Sequence, residues 1–253
     1  VKTSKIASQS VRYYDSLEEL PIWRFQKFNK FLLVDAGVGS DLASIDSKIA
    51  KIRAHLSAGR TKEADIELVN VRQAMLLVMS EVSPKHMAFS ALVHSIGEKE
   101  YSSPSDSAMQ EIFALLNTEK ASALSALVDA MRKKFDAELK ALFPVAFDSA
   151  KTNQQYDLLK RRVLAITKGI TKLVSYSAEL DALDDSILTV HKPEKFMGAD
   201  NPETAYDKNF NDLCAFMLTQ NIQAPKQMMT IDFYATFELI KKSAKPNAKK
   251  HGR

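Results

Sequence analysis

The sequence is poor in the residues that punctuate β-rich folds, with seven glycines and eight prolines among 253 residues. A many-stranded all-β architecture needs glycine and asparagine at hairpin positions with φ > 0, so this scarcity speaks against one. It speaks equally against a glycine-rich phosphate cradle. Cysteine is nearly absent. Cys214 stands alone, which excludes an intrachain disulfide framework and any multi-cysteine zinc site, and agrees with a reducing compartment. Long hydrophobic runs are missing too: Phe31–Val34 and Ala74–Met79 fall far short of the roughly 20 residues that span a bilayer. No hydrophobic stretch follows Val1-Lys2-Thr3-Ser4-Lys5, so no secretory signal is expected there, and no membrane partner.

What is present is an ordinary globular balance, 45% hydrophobic and 26% charged, with a formal net charge of +4. That average conceals a division by position. Lys2, Lys5 and Arg12 give residues 1–14 a charge of +3, and Lys241, Lys242, Lys245, Lys249, Lys250 and Arg253 give the last 13 residues +6. The body from 15 to 240 is left at −5, with 26 basic against 31 acidic residues. The expected organisation is a basic N-terminal arm over 1–14, a helical domain over 15–242 (possible halves 15–143 and 148–242) and a basic tail over 243–253. The tail has no large apolar side chain and cannot bury itself in a core.

Apolar spacing predicts an all-α fold, a multi-helix bundle of about nine or ten helices with basic, extended termini. Pro21 opens a first helix that Gly37 stops, and Ser40-Asp41 opens a second carrying Leu42, Ile45, Ile49, Ile52 and Leu56 as a heptad-like stripe. Thr61 is the expected cap of a third, with Ile66, Val69, Met75, Leu76, Met79 and Val82 inward, antiparallel to the second across a short loop at Gly59. Ser83-Pro84 begins a fourth, ending at Gly97, before a polar loop over 98–105. Helices are expected over 107–116, from Thr118-Glu119-Lys120 to Leu142, and from about Asn153 to Val190 with a break near Ser175–Ser177. Asn201-Pro202 starts another, burying Tyr206, Phe210, Leu213, Phe216 and Met217. Thr230 caps the last, Ile231–Lys242, with Phe233, Phe237 and Ile240 inward. No strand and no internal repeat is expected.

Several constellations invite a chemical reading and resolve into plainer ones. His86 and His94 lie about two helical turns apart, but Ser90 between them is a poor ligand and no His-Glu-x-x-His spacing occurs. A surface or capping role suffices for His86. Glu179, Asp181, Asp184 and Asp185 alternate with Leu180, Leu183 and Ile187, the pattern of a solvated face or of a docking surface for a basic segment rather than a metal or acid–base centre. Gly37-Val38-Gly39 lacks the third glycine of a dinucleotide fingerprint, since Leu42 stands there, and reads as a helix stop followed by a new cap. Cys214 sits on an apolar face as a buried structural thiol. Trp23 and Phe25 point about 200° apart on a helix. With Arg24, Lys27 and Lys30 interleaved, they read as core with snorkelling basic rims, or as an aromatic surface left for a partner. No catalytic, cofactor or metal set assembles, so no enzyme and no cofactor is expected. The basic tail is the candidate contact site, through Lys241, Lys242, Lys245, Lys249, Lys250 and Arg253, for phosphates or an acidic protein surface.

The stretches Tyr14-Asp15-Ser16-Leu17-Glu18-Glu19-Leu20-Pro21-Ile22 and Arg24-Phe25-Gln26-Lys27-Phe28, with Gly37-Val38-Gly39-Ser40-Asp41 and Ser83-Pro84-Lys85-His86, resemble helical proteins encoded by tailed, crAss-like phages of Bacteroidota. Thr230-Ile231-Asp232-Phe233-Tyr234 is likewise similar to the last helix of small phage tail or assembly proteins. These segments cover less than a fifth of the chain and contain no catalytic signature. The resemblance implies a virion component or assembly factor, in the neck, tail or packaged cargo, located in the virion or host cytoplasm. Its partners would be other virion or assembly proteins in a homo- or hetero-oligomer. The competing expectation is a nucleic-acid-binding helical module that uses the basic tail.

Overall fold

The computed structural model describes residues 1–6, 8–101, 106–116, 121–144, 150–172, 175–190 and 192–244. The fold is predominantly α-helical, with ten α-helices and one small antiparallel sheet among these residues. In chain order the elements are β1 (Lys2–Ile6), β2 (Gln9–Tyr13), α1 (Ile22–Gly37), α2 (Leu42–Ser57), α3 (Thr61–Met79) and α4 (Pro84–Leu92). They continue with β3 (Val93–Ile96), β4 (Lys99–Glu100), α5 (Asp106–Leu116), α6 (Ala121–Leu142), α7 (Ala150–Lys172), α8 (Ser177–Val190), α9 (Pro202–Thr219) and α10 (Thr230–Ala244). The expected helix start at Thr118-Glu119-Lys120 lies outside the described residues.

The sheet overturns the expectation of no strand and corrects two further expectations. Residues 1–14 are not a free arm: β1 and β2 form a hairpin, and β2 pairs with β3 through Val11↔Ile96 and Arg12↔Ser95. Val11 and Tyr13 alternate with exposed Ser10 and Arg12, so one face of β2 enters the core while the charges stay outside. Lys2 and Lys5 lie on the edge strand, where charged side chains discourage edge-to-edge pairing. The second correction concerns α4, which ends at Leu92 and passes into β3 without a loop. Gly97 (φ +57°) is therefore not a helix stop but the first residue of the two-residue turn joining β3 to β4.

Arg24 explains how helix can pass directly into strand here. Far from snorkelling at a rim, it is fully buried, and its guanidinium donates to the carbonyls of Ala91 (3.1 Å), Val93 (2.8 Å) and Tyr101. Those carbonyls lie in the last turn of α4, at the start of β3 and just beyond β4. The cation also faces the rings of Trp23 (4.8 Å) and Tyr14 (5.2 Å). Burial depresses its pKa to about 10, yet the carbonyl dipoles and π faces hold the group in place.

Around this junction α1 packs on α4, and α5, α6, α9 and α10 complete the principal core. Phe25 and Phe28 meet Phe135 edge-on, and Phe233 meets Tyr234. Cys214 is buried in the same cluster, which draws residues from both sides of the possible boundary at 143–148. Thr230 closes the circuit between the two ends of the domain. Its backbone N–H (2.9 Å) and hydroxyl (2.6 Å) both donate to the carbonyl of Leu20, so the hydroxyl pins α10 to the entry of α1 instead of capping a helix. His86, read as a surface or capping residue, is buried, with its backbone N–H at the Ser83 cap.

The α2–α3 hairpin stands beside this core on a smaller cluster of Val38, Ile45, Ala74 and Phe196. Asp41 caps α2 as expected, accepting from the Ser44 N–H at 2.7 Å. Gly37 lies under the Phe196 ring, and a Cβ there would come within 2.0 Å of it. The helix faces depart from the reading by apolar spacing. Ile45 and Ile52 turn inward, but so do Lys48 and His55, while Leu42, Ile49 and Leu56 are 73, 37 and 54% exposed. On α3, Glu67 and Asn70 are buried while Met75, Leu76 and Met79 face solvent, and Thr61 makes no side-chain cap. Phe216 on α9 is likewise exposed rather than buried.

Two predictions follow from the packing. Arg24→Met removes the donors of three buried carbonyls, and the expected cost is about 3 kcal/mol or more, read as a lower urea midpoint with an unchanged slope. Burial raises the Tyr234 phenol from its ordinary 10 to about 12. The unfolded chain therefore loses this proton first, and the associated stability is lost as pH rises from 10 to about 12. Tyr234→Phe should flatten that alkaline loss by at most about 1.4 kcal/mol per pH unit, measured as denaturant stability at stepped pH.

Candidate functional site

Two of the six residues singled out for partner contact lie among the described residues. Lys241 lies over the Phe237 ring at 4.5 Å and Lys242 pairs with Glu238 at 3.2 Å, so both already have intrachain partners on α10. Lys245, Lys249, Lys250 and Arg253 lie outside the described residues. In the acidic cluster of α8, Asp184 is held by Arg162 of α7 (2.5 Å) and Asp185 by Arg60 at the α2–α3 turn (2.6 Å). Two of its four carboxylates thus fasten the α7–α8 hairpin to itself and to its neighbour. Among the described residues, no group of three or more His, Cys, Asp or Glu is placed to hold a metal ion. Among them, too, no helix is long and apolar enough to cross a membrane.

A different set of residues does converge. The C-terminal half of α1, the inner faces of α2 and α3, and the end of α8 with the segment after it enclose a cleft of about 630 Å³. This is within the usual range for ligand and side-chain sites, about 300–1,000 Å³. Leu33, Ile187, Leu188, Val190 and Phe196 supply an apolar wall, and Lys48, Lys51, His55, Glu67, Asn70 and Lys192 supply polar groups.

The inversion of α2 and α3 brings these polar groups inside. Lys48 reaches both the carbonyl of Gly37 at the end of α1 and, at 3.4 Å, the Glu67 carboxylate. Both side chains are almost completely buried. Burial lowers the Lys48 pKa, Glu67 opposes that, and neighbouring Lys51 lowers it further. Asn70 secures the opposite wall: its amide donates to the Glu194 carbonyl (2.9 Å) and its oxygen accepts from the Phe196 N–H (3.1 Å). His55 is 1% exposed, and its Nδ1 has no hydrogen-bond partner among the described residues. Lys51 and Lys192 are exposed and form no ion pair there. The arrangement can fix an anionic group beside an apolar one.

The signal for this site was present but ambiguous. Residues 45, 48, 52 and 55 repeat at spacings of three and four, as do 42, 45, 49, 52 and 56, and the two registers share Ile45 and Ile52. Hydrophobicity favours the second register; tertiary packing adopted the first.

Comparison with known proteins gives no second line of evidence: no family model matches the chain, and neither the curated proteins nor the solved structures yield a match.

The Lys48–Glu67 pair provides a direct test of how the cleft is held. Lys48→Met leaves a buried carboxylate unpaired and should cost about 3–5 kcal/mol, whereas Lys48→Met with Glu67→Leu should recover most of the loss. Urea unfolding of the three proteins as a double-mutant cycle reads the coupling.

Proposed function

We propose that the chain is a non-enzymatic structural or assembly protein, a component of a tailed-phage particle that works through protein–protein contacts. The contact part of this reading rests on one observation above others, the apolar ladder on α7. Leu159, Val163, Ile166 and Ile170 repeat at spacings of four, three and four, as in a coiled-coil seam. Leu159, Val163 and Ile170 are nonetheless 42, 61 and 70% exposed. A single exposed leucine needs no explanation, but a heptad series along one helix does. The exposed Leu42, Ile49 and Leu56, spaced by seven on α2, form a second ladder. The phage part rests on the resemblance carried by residues 14–22, 24–28, 37–41, 83–86 and 230–234. A nucleic-acid module remains the competing reading, and two of its six proposed contacts, Lys241 and Lys242, already have partners in the chain.

The proposal is tested by analytical ultracentrifugation over a concentration series together with mass spectrometry of purified particles. Self-association that Val163→Asp with Ile170→Asp abolishes at unchanged thermal stability, and recovery of the chain from particles, are the expected results. A protein that stays monomeric at all concentrations and is absent from particles would sink the reading.

A further inference from the structure

We propose that the cleft between α1, the α2–α3 hairpin and the end of α8 is a docking groove for an acidic–apolar segment of a partner chain. The segment would be an extended stretch in which an aspartate or glutamate stands beside a bulky apolar side chain. This deepens the assembly reading, on which it rests for the partner being a protein.

The groove's polar groups divide into those the fold uses and those it does not. Lys48 is occupied by Gly37 and Glu67, and Asn70 by Glu194 and Phe196. Lys51, Lys192 and His55 remain. Two are exposed cations with no ion pair among the described residues, and the third is a buried imidazole whose Nδ1 lacks a partner there. Once Lys48 and Glu67 cancel, Lys51 and Lys192 outweigh Glu194, the other carboxylate lining the groove. Lys51 also stands close enough to Lys48 to oppose its charge. An arriving carboxylate would relieve that repulsion, whereas a cationic group would add to it.

The apolar side of the groove narrows the ligand class further. A free phosphate or a nucleic-acid backbone gains nothing from Leu33, Ile187, Leu188 and Phe196, since phosphate contacts come from cations and N–H groups. A purely apolar ligand would leave Lys51 and Lys192 unused. An acidic residue next to a leucine or phenylalanine uses both, with the carboxylate at the exposed lysines and the apolar side chain against the wall. The Phe196 wall of the receptor is also organised in advance. Phe196 is seated on the bare backbone of Gly37, and its own N–H is fixed by Asn70, so this wall needs little ordering at the moment of docking.

The experiment selects a random library of displayed short peptides on the full chain. Lys51→Glu with Lys192→Glu is the counter-selection target, chosen because both side chains are exposed and its thermal stability can be shown to match the parent. Enrichment of Asp or Glu adjacent to Leu, Phe or Trp is expected. Selected peptides, synthesised with a fluorophore and titrated by anisotropy, should bind the charge-reversed protein at least about tenfold more weakly. Asp→Asn and Glu→Gln versions of the peptides should lose binding similarly. Leu188→Gln, on the apolar wall, should weaken binding in its own right. No enrichment, enrichment of basic peptides, or equal binding by the charge-reversed protein overturns the groove. So does displacement of the peptide by octanoate at comparable affinity, which would reassign the cleft to a small carboxylate. Val163→Asp with Ile170→Asp should leave peptide binding intact, so failure of the α7 ladder and failure of the groove are separately visible.

Discussion

A buried guanidinium governs the principal core. An ionised side chain taken out of water is costly unless each of its donors is met. Arg24 offsets much of that cost: carbonyls of Ala91, Val93 and Tyr101 accept from its two terminal nitrogens, and Trp23 and Tyr14 offer their faces, while its buried Nε has no hydrogen-bond partner among the described residues. The geometry works because α4 stops without a loop. Its last carbonyls lack helical partners, and β3 and the end of β4 bring two more oxygens to the same point. One residue of α1 thereby fixes where the helix ends, where the strand begins and how the sheet sits on the core. The N-terminal hairpin joins the same junction, since β2 pairs with β3.

A second, weaker constraint operates on the α2–α3 hairpin, and it explains the exposed ladder on α2. Gly37 ends α1 and needs its carbonyl satisfied; Lys48 supplies the donor, and once buried it requires Glu67. Segment 192–196 needs a partner for its backbone; Asn70 supplies it. Each demand rotates its helix so that a polar residue faces inward. Turning Lys48 and His55 in turns Leu42, Ile49 and Leu56 out. The groove and the α2 ladder are thus two consequences of one rotation. An interior made polar for connectivity leaves apolar surface to be covered from outside.

Most of the helical architecture was legible in the residues. Asp41, Ser83 and Asn201 cap where their side chains predict, and Gly37 and Gly59 mark stops. The sheet was not legible, because its signal is short and masked. Val11-Arg12-Tyr13 shows only one alternation, and the basic residues around it suggested an arm. Val93–Ile96 reads as a continuation of an apolar helix, since Ala88 to Val93 are all apolar or small and all buried. Only the β-branched Val93 and Ile96 and the Gly97-Glu98 turn hint at the change. Arg24 departs from its sequence reading for a related reason. Composition says that an arginine between aromatics snorkels, and only the three-dimensional coincidence of free carbonyls overrules it. The cleft residues were hidden by degeneracy: Ile45 and Ile52 belong to two equally periodic faces.

The α7–α8 hairpin carries this logic furthest. It packs mainly on itself, and its ties to the rest of the described chain include Arg60 with Asp185 and Thr189. Exposed ion pairs of this kind contribute about 0–1 kcal/mol each. An element with so few buried contacts belongs to the low-stability end of a fold, where local opening is easiest. Its exposed ladder adds an apolar surface that water does not favour. Yet the same hairpin supplies Ile187, Leu188 and Val190 to the wall of the cleft. Covering the ladder would therefore do more than bury area. It would restrain the least anchored wall of the groove, and the element least stable in isolation is the one with most to gain from assembly.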